Sequence, residues 1–227
     1  MENIGIEPLY FFPADRALMG GTEPINSIDD LEGRSVRTVG EGSLIALEQI
    51  GANPVAVTAA EMYESMQRGV IDIWLNNISG NATYSMYEVG EYWADPGLGV
   101  YTGLIVGMNP ATFDGLDEDL QQLILEVRDE WVAGQGFEIL EDVQQDNCDA
   151  IAESGQVTEW DIWDEAQVEE WQDAAGDASA QAWIDNARDA GVEDPEGVLD
   201  TYRDLVAEFE DPGSEFVAEA CADQAVG

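Results

Sequence analysis

The arginines carry most of the chemistry this chain can offer. It has seven basic residues and no histidine, and every one of the seven is an arginine. A guanidinium is a planar fork of N–H donors that meets a carboxylate through two parallel hydrogen bonds. Once buried, it needs a partner, either one of the chain's own 49 acidic residues or a ligand. The missing types exclude whole mechanisms. Without histidine there is no Ser-His or Cys-His nucleophile pair and no histidine metal ligand. Without lysine there is no Schiff base and no ordinary phosphate-binding loop. Paired carboxylates working as acid and base, as in glycoside hydrolysis, are the alternative chemistry, but no local pair stands out. Cys148 and Cys221 suit either one disulfide in an oxidising compartment or two separate thiols. Asn77-Ile78-Ser79 and Asn81-Ala82-Thr83 have the form of glycosylation acceptors.

The elements that must position these groups alternate between strand and helix. Residues 25–33 read as a short helix with Ser27 as N-cap and Gly33 as its end. RSVRTV (34–39) reads as a strand, GSLIALEQIG (42–51) as a helix, PVAVT (54–58) as a strand, AAEMYESMQRG (59–69) as a helix and VIDIWL (70–75) as a buried strand. That β-α-β-α-β order predicts an α/β arrangement. Residues 79–93 read as a helix followed by a loop, and GVYTGLIVGMN (99–109) as a strand. Asn109-Pro110 starts a helix. From Asp117 to about Ser154 apolar residues recur at helical spacing, with Gly134 and Gly136 marking a bend. QVTEW (156–160) suits a short strand. Residues 164–209 suit two or three amphipathic helices split near Gly191 and Pro195, and 211–227 a loose tail. No apolar run is long enough for a transmembrane helix, and residues 1–20 lack the pattern of a signal peptide.

The 227-residue chain has a formal net charge of −42 and is 45% apolar. It can therefore fill a core, unlike a disordered acidic tail. Fifteen of the acidic residues fall in 1–100 and 34 in 101–227, spread rather than clustered. Such a charge repels nucleic acid and strains a compact body unless salt screens it. The Debye length shrinks to about 3 Å at 1 M salt, so the composition predicts a protein of a salt-loving organism, with most carboxylates solvated.

Four stretches together resemble the substrate-binding proteins of TRAP (tripartite ATP-independent periplasmic) transporters. They are the D-L-x-G-x-x-x-R run from Asp30 to Arg37, LEQIGANPV (47–55), EMYESMQRGVID (61–72) and MNPATFDGLDEDLQQLI (108–124). The likeness covers residues 25 to about 210. It implies two α/β lobes joined by crossing strands and one long helix, closing on a ligand. Residues 15–101 and 142–210 would form the ligand-binding lobe, and 102–141 the rest of the other lobe with the connecting helix. Members of that family carry roughly a hundred residues before the stretch matching INSIDDLEG, a domain-sized piece. The resemblance therefore implies that one lobe is incomplete here and that its apolar sheet surface is exposed.

The resemblance implies an extracytoplasmic receptor that binds a small carboxylate and delivers it to the membrane subunits of a transporter. It implies no enzyme activity, no cofactor and no nucleic-acid partner. A sensing module using the same site, or a truncated remnant, are the other readings. Arg37 stands at the family's strand-borne arginine and is expected to hold the ligand carboxylate. Asn76 stands either at a polar ligand contact, where its amide both donates and accepts, or with Asn77 as a turn residue at the strand end. Trp74 either walls the pocket or packs in the core. Leu75 replaces a carboxylate that holds a metal in one branch of the family, so no metal is expected. Arg16 falls near a second family arginine, and Glu41 and Gly42 near the pocket mouth.

Overall fold

The computed structural model describes residues 5–13, 15–98, 103–209 and 216–226. Its centre is a six-stranded mixed sheet built from β2 (Ala17–Gly21), β3 (Ser35–Arg37), β4 (Asn53–Val55), β5 (Ile73–Asn77), β6 (Tyr92–Asp95) and β8 (Glu159–Ile162). The order across the sheet is β4-β3-β5-β2-β6-β8. β3 pairs in parallel with β4 and β5, and β6 with β8, while β2 is antiparallel to both of its neighbours. Five strands therefore run one way, and their carboxyl ends form one edge.

Side-chain alternation divides two cores between the sheet faces. On β5, Ile73 and Leu75 enter the core with Val36, Leu47 and Trp171, whereas Trp74 enters the other core with Leu18, Trp93 and Ile151. Strands buried on both faces read as continuous apolar runs, as β2 and the start of β5 do. Gly20 and Gly90 lie directly against the Trp74 indole, where an added Cβ would collide with ring carbons. The glycines are what lets that ring lie flat between β2 and its neighbours.

Helices α1 (Glu41–Gln49), α2 (Ala59–Gln67) and α3 (Ile78–Thr83) connect the first strands. α2 begins with a capping box between Thr58 and Glu61, which satisfies two otherwise orphaned donors. The short helix expected after Ser27 is a 3-10 turn, Ile28–Leu31, with its own capping box to Asp30. β5 starts three residues later than expected because Asp72 turns its carboxylate to the Ser35 amide, 2.8 Å. Three strands escaped the sequence reading: β1 (Glu7–Pro13), for which no element was expected, β6, which lies where a loop was expected, and β2, which holds two glycines in five residues.

β7 (Gly103–Met108) pairs antiparallel with β1 (Glu7–Pro13) as a separate two-stranded ribbon. Residues 99–102 of the expected strand lie outside the described residues. α4 (Pro110–Asp114) follows, with the Asn109 side chain accepting from the Thr112 amide at 3.2 Å. The expected bend in the long helix is a π turn over Trp131–Gln135 between α5 (Glu118–Glu130) and α6 (Gly136–Ser154), with Gly134 at φ 138°. Only glycine adopts that conformation without strain.

α7 (Glu165–Ala175), α8 (Ala178–Asp189) and α9 (Pro195–Phe209) complete the amphipathic run. The expected loose tail is corrected over its described part. α10 (Phe216–Val226) is a helix against α6 and β8, with Ala222 and Ala225 buried. Cys148 and Cys221 form a disulfide that ties α10 to α6 across 73 residues of chain. No described helix is long and apolar enough to cross a membrane.

Candidate functional site

In open α/β sheets, ligands sit in the crevice outside the carboxyl ends of the strands. Here that edge gathers a cluster of polar side chains. Arg37 ends β3, Asn76 and Asn77 end β5, and Asp95 ends β6. Because β2 runs the other way, Arg16 arrives at the same edge just before it, where Ala17 pairs with Asn77.

Arg37 is 2% exposed. Its Nε donates to the Val57 carbonyl and its Nη1 to the Leu75 carbonyl, each at 3.0 Å. These bonds fix the guanidinium plane across β4, β3 and β5. A buried fork held in one orientation is prepared to read a carboxylate without losing side-chain entropy on binding. Arg16 forms an ion pair with the fully buried Asp95, Nε to Oδ2 at 2.8 Å. The other Asp95 oxygen accepts from the Gly97 amide at 3.0 Å.

Asn76 lies within β5 rather than after it, a correction to the sequence expectation. By alternation it shares the sheet face of Arg37 and Trp74. Its Nδ2 is shielded from solvent and has no hydrogen-bond partner among the described residues. An unspent buried donor costs about 1–3 kcal/mol, which is a reason to look for a ligand or water there. Gly80 makes room for this amide, since an added Cβ would strike it. Trp74 sits wholly in the core, edge-on to Trp93 with centroids 5.9 Å apart and planes at 87°. Its ring packs in the core, and its Nε1, like the Asn76 Nδ2, has no hydrogen-bond partner among the described residues.

The wall aromatic is Trp171, which the sequence reading did not single out. A cavity of about 480 Å³ opens at the carboxyl edge, lined by Val39, Gly40, Ser43, Leu47, Leu75 and Trp171. Gly42 lines it too, while Glu41 instead accepts from Asn186 at 2.7 Å. Arg37 and this cavity meet through Leu75, whose carbonyl holds the guanidinium and whose side chain lines the space.

A second polar knot was also missed. One oxygen of the buried Asp15 accepts from the Ser79 amide at 2.8 Å and the Ser79 hydroxyl at 2.5 Å. Asn147 of α6 donates to that hydroxyl at 3.0 Å. The knot ties the segment entering β2 and the start of α3 to the long helix. Burial pushes the Asp15 carboxyl above its ordinary value, and the Ser79 hydrogen bonds work against that. Nothing in the sequence separation of 64 residues signals this pairing. The glycosylation acceptors fall in the same place. Asn77 caps α3 by accepting from the Gly80 amide at 3.0 Å, and Asn81 is fully buried, so Asn81 is closed to modification in the folded chain.

Comparison with known proteins bears on the fold and the family. Residues 1–186 match the model of DctP, the bacterial extracellular solute-binding protein family 7. The ectoine-binding periplasmic protein TeaA of Halomonas elongata is 29% identical over 126 residues, 55% of this chain and 37% of that protein. The 2,3-diketo-L-gulonate-binding periplasmic protein YiaO of Escherichia coli is 28% identical over 157 residues, 68% of this chain and 47% of that one. The aligned stretches thus span less than half the length of these relatives. Among solved structures, a TRAP periplasmic solute-binding protein from Desulfovibrio salexigens with bound orotic acid superposes with a TM-score of 0.78 at 22% identity, covering 91% of this chain and 64% of that one. The TeaA structure gives 0.74 at 23%, covering 88% and 63%. At such identities the superpositions establish the fold, part of a two-lobed receptor architecture. The family model, matched over most of the sequence, establishes the lineage: this chain belongs to the DctP family of extracellular solute-binding proteins.

Proposed function

We propose that this chain is the ligand-binding part of an extracytoplasmic receptor that captures a small organic acid and hands it to the membrane subunits of a TRAP-type secondary transporter. The observation that carries this reading is Arg37, buried at the carboxyl end of β3 with its guanidinium plane fixed by two carbonyls. The ligands named for similar proteins include ectoine, 2,3-diketo-L-gulonate, orotic acid and L-malate. They differ in size and ring chemistry but share a carboxylate, the group a guanidinium fork recognises. Arg37 anchors that carboxylate, and Asn76, on the same sheet face, supplies its unspent N–H donor. Trp74 acts beneath the site, holding β5 in register.

In this reading the six-stranded body is the binding lobe, the β1–β7 ribbon belongs to the second lobe, and the α5–α6 helix passes between them. Ligand capture is a closure of the two. The Cys148–Cys221 disulfide fits an oxidising, extracytoplasmic setting. The net charge of −42 fits a salt-rich one. Salt also settles how an anionic ligand approaches so acidic a body, because screening leaves only the local field of the arginine.

Thermal melting in multimolar KCl against a panel of small carboxylic acids tests the proposal. An acid present at 100 times its dissociation constant adds about 2.7 kcal/mol of stability and raises the melting temperature. A cooperative melt that no acid in the panel moves contradicts it.

A further inference from the structure

The carboxyl edge of the sheet sets its charged groups in sequence across the strands. Leu18 of β2 pairs with Asn76 of β5, and Met19 pairs with Ala94 of β6, so Leu18 also stands beside Asp95. Leu18 and Trp93 belong to the Trp74 core, and alternation puts Asp95 on that face with Arg37 and Asn76. Strands in a sheet lie about 4.8 Å apart, so β6 is about 10 Å from β5 and about 14 Å from β3. Arg16, bonded to Asp95, therefore marks the far end of the edge from Arg37. A ligand whose carboxylate sits at Arg37 has its other end in that direction.

The charge of Arg16 is already spent. Asp95 is fully buried, with Oδ2 at 2.8 Å from the Arg16 Nε and its other oxygen on the Gly97 amide. Taking the guanidinium away would leave a buried carboxylate uncompensated, which is strongly destabilising. A ligand therefore meets the two groups as a pair with no net charge. The Arg16 side chain keeps 29% of its surface exposed, and a guanidinium has five N–H donors. It can still donate to a neutral oxygen. A second carboxylate there would face Asp95 with no cation left to balance it. The rest of the chain does not supply one. Arg34, Arg68, Arg128, Arg188 and Arg203 each pair with a carboxylate of the chain, and lysine and histidine are absent.

We propose that Asp95 sets the charge of the ligand. By holding Arg16 it restricts the site to acids with one carboxylate, carrying a hydroxyl or carbonyl oxygen at their far end, and it rejects dicarboxylates. This rests on the receptor reading above and adds to it which acids are taken. The fold alone does not decide the point, since similar structures hold orotic acid, with one carboxyl group, and L-malate, with two.

The test is isothermal titration in multimolar KCl with acids matched in size and differing by one carboxylate: succinate and succinamate, glutarate and glutaramate, glucarate and gluconate. Salt does not erase the contrast, because buried and partly buried charges are screened much less than exposed ones. Like charges set side by side are costly, so the monocarboxylate of a binding pair is expected to bind at least about tenfold tighter than its dicarboxylate. Asp95→Asn keeps an acceptor for Gly97 and frees the Arg16 charge. It should narrow or invert that preference, and adding Arg16→Gln should cancel the gain for the dicarboxylate. A wild-type protein that binds the dicarboxylate as tightly as its partner overturns the inference and leaves the receptor reading standing. A gain in Asp95→Asn that survives Arg16→Gln overturns it as well. So does the failure of every pair to bind, and the melting panel then shows whether the receptor reading falls with it. Should Asp95→Asn not melt cooperatively, the wild-type comparison decides alone.

Discussion

Arg37 and Leu75 are joined by one hydrogen bond, Nη1 to the backbone carbonyl at 3.0 Å. Their side chains serve opposite faces of the same sheet. The guanidinium shares its face with Asn76, while the Leu75 side chain lines the cavity on the other. Arg37→Lys tests what this fork does. A lysine keeps the charge, but its compact ammonium does not reproduce the planar reach to Val57 and Leu75. The variant is expected to fold and to bind its acid more weakly by about 1.5–3 kcal/mol, the range for hydrogen bonds to charged groups. Isothermal titration measures this, and an unchanged affinity would remove Arg37 from the site.

Trp74 is expected to behave as a core residue. Gly20→Ala and Gly90→Ala each drive a methyl into its ring and should destabilise the fold by about 1–3 kcal/mol. Pairing Gly20→Ala with Trp74→Leu should recover part of the loss, a coupling that a double-mutant cycle in denaturant reads directly. Strict additivity would mean that the ring does not rest on Gly20.

These residues also show how far the sequence could be read. The strand carrying Arg37 was legible because apolar and polar residues alternate there, and α2 was legible over 59–69, where Gly69 ends it. β2 was not, because ALMGG is short and ends in two glycines. Its place at the sheet centre comes from Trp74 lying on Gly20, a contact 54 positions away in sequence. The arginine of the site was visible because basic residues are so few. Asp15, Asn147 and Trp171 were not, because among 49 acidic residues and seven tryptophans no local pattern separates those that fold together from those that face water.

The disulfide should contribute to stability through the long loop it closes. Cys148→Ser with Cys221→Ser, or reduction of the wild type, is expected to cost about 2–4 kcal/mol and to release α10 from α6. Thermal melts with and without reductant check this. Equal melting temperatures would show that α10 is held by Ala222 and Ala225 packing alone.

Asp15 predicts a pH effect of defined sign. Its folded carboxyl titrates above its unfolded value, chiefly because burial disfavours the charge. In the window between the two values the folded state binds more protons, so this group's contribution to stability declines as pH rises through it. Above the folded value the group is ionised in both states, and its burial is a constant penalty. Asp15→Asn removes that slope while keeping an acceptor for Ser79. The difference in melting temperature between variant and wild type should therefore shift in the variant's favour as pH climbs through the window. A difference independent of pH would show that Asp15 titrates normally.

The most direct test compares one bound acid with its neutral primary amide, titrated into the wild-type protein and Arg37→Lys in multimolar KCl. If the Arg37 fork reads a carboxylate, the acid binds wild type well, the amide loses at least about 1.5 kcal/mol, and that preference shrinks in the variant. If acid and amide bind alike, or if the acid's preference survives in Arg37→Lys undiminished, the carboxylate is held elsewhere and the central claim fails.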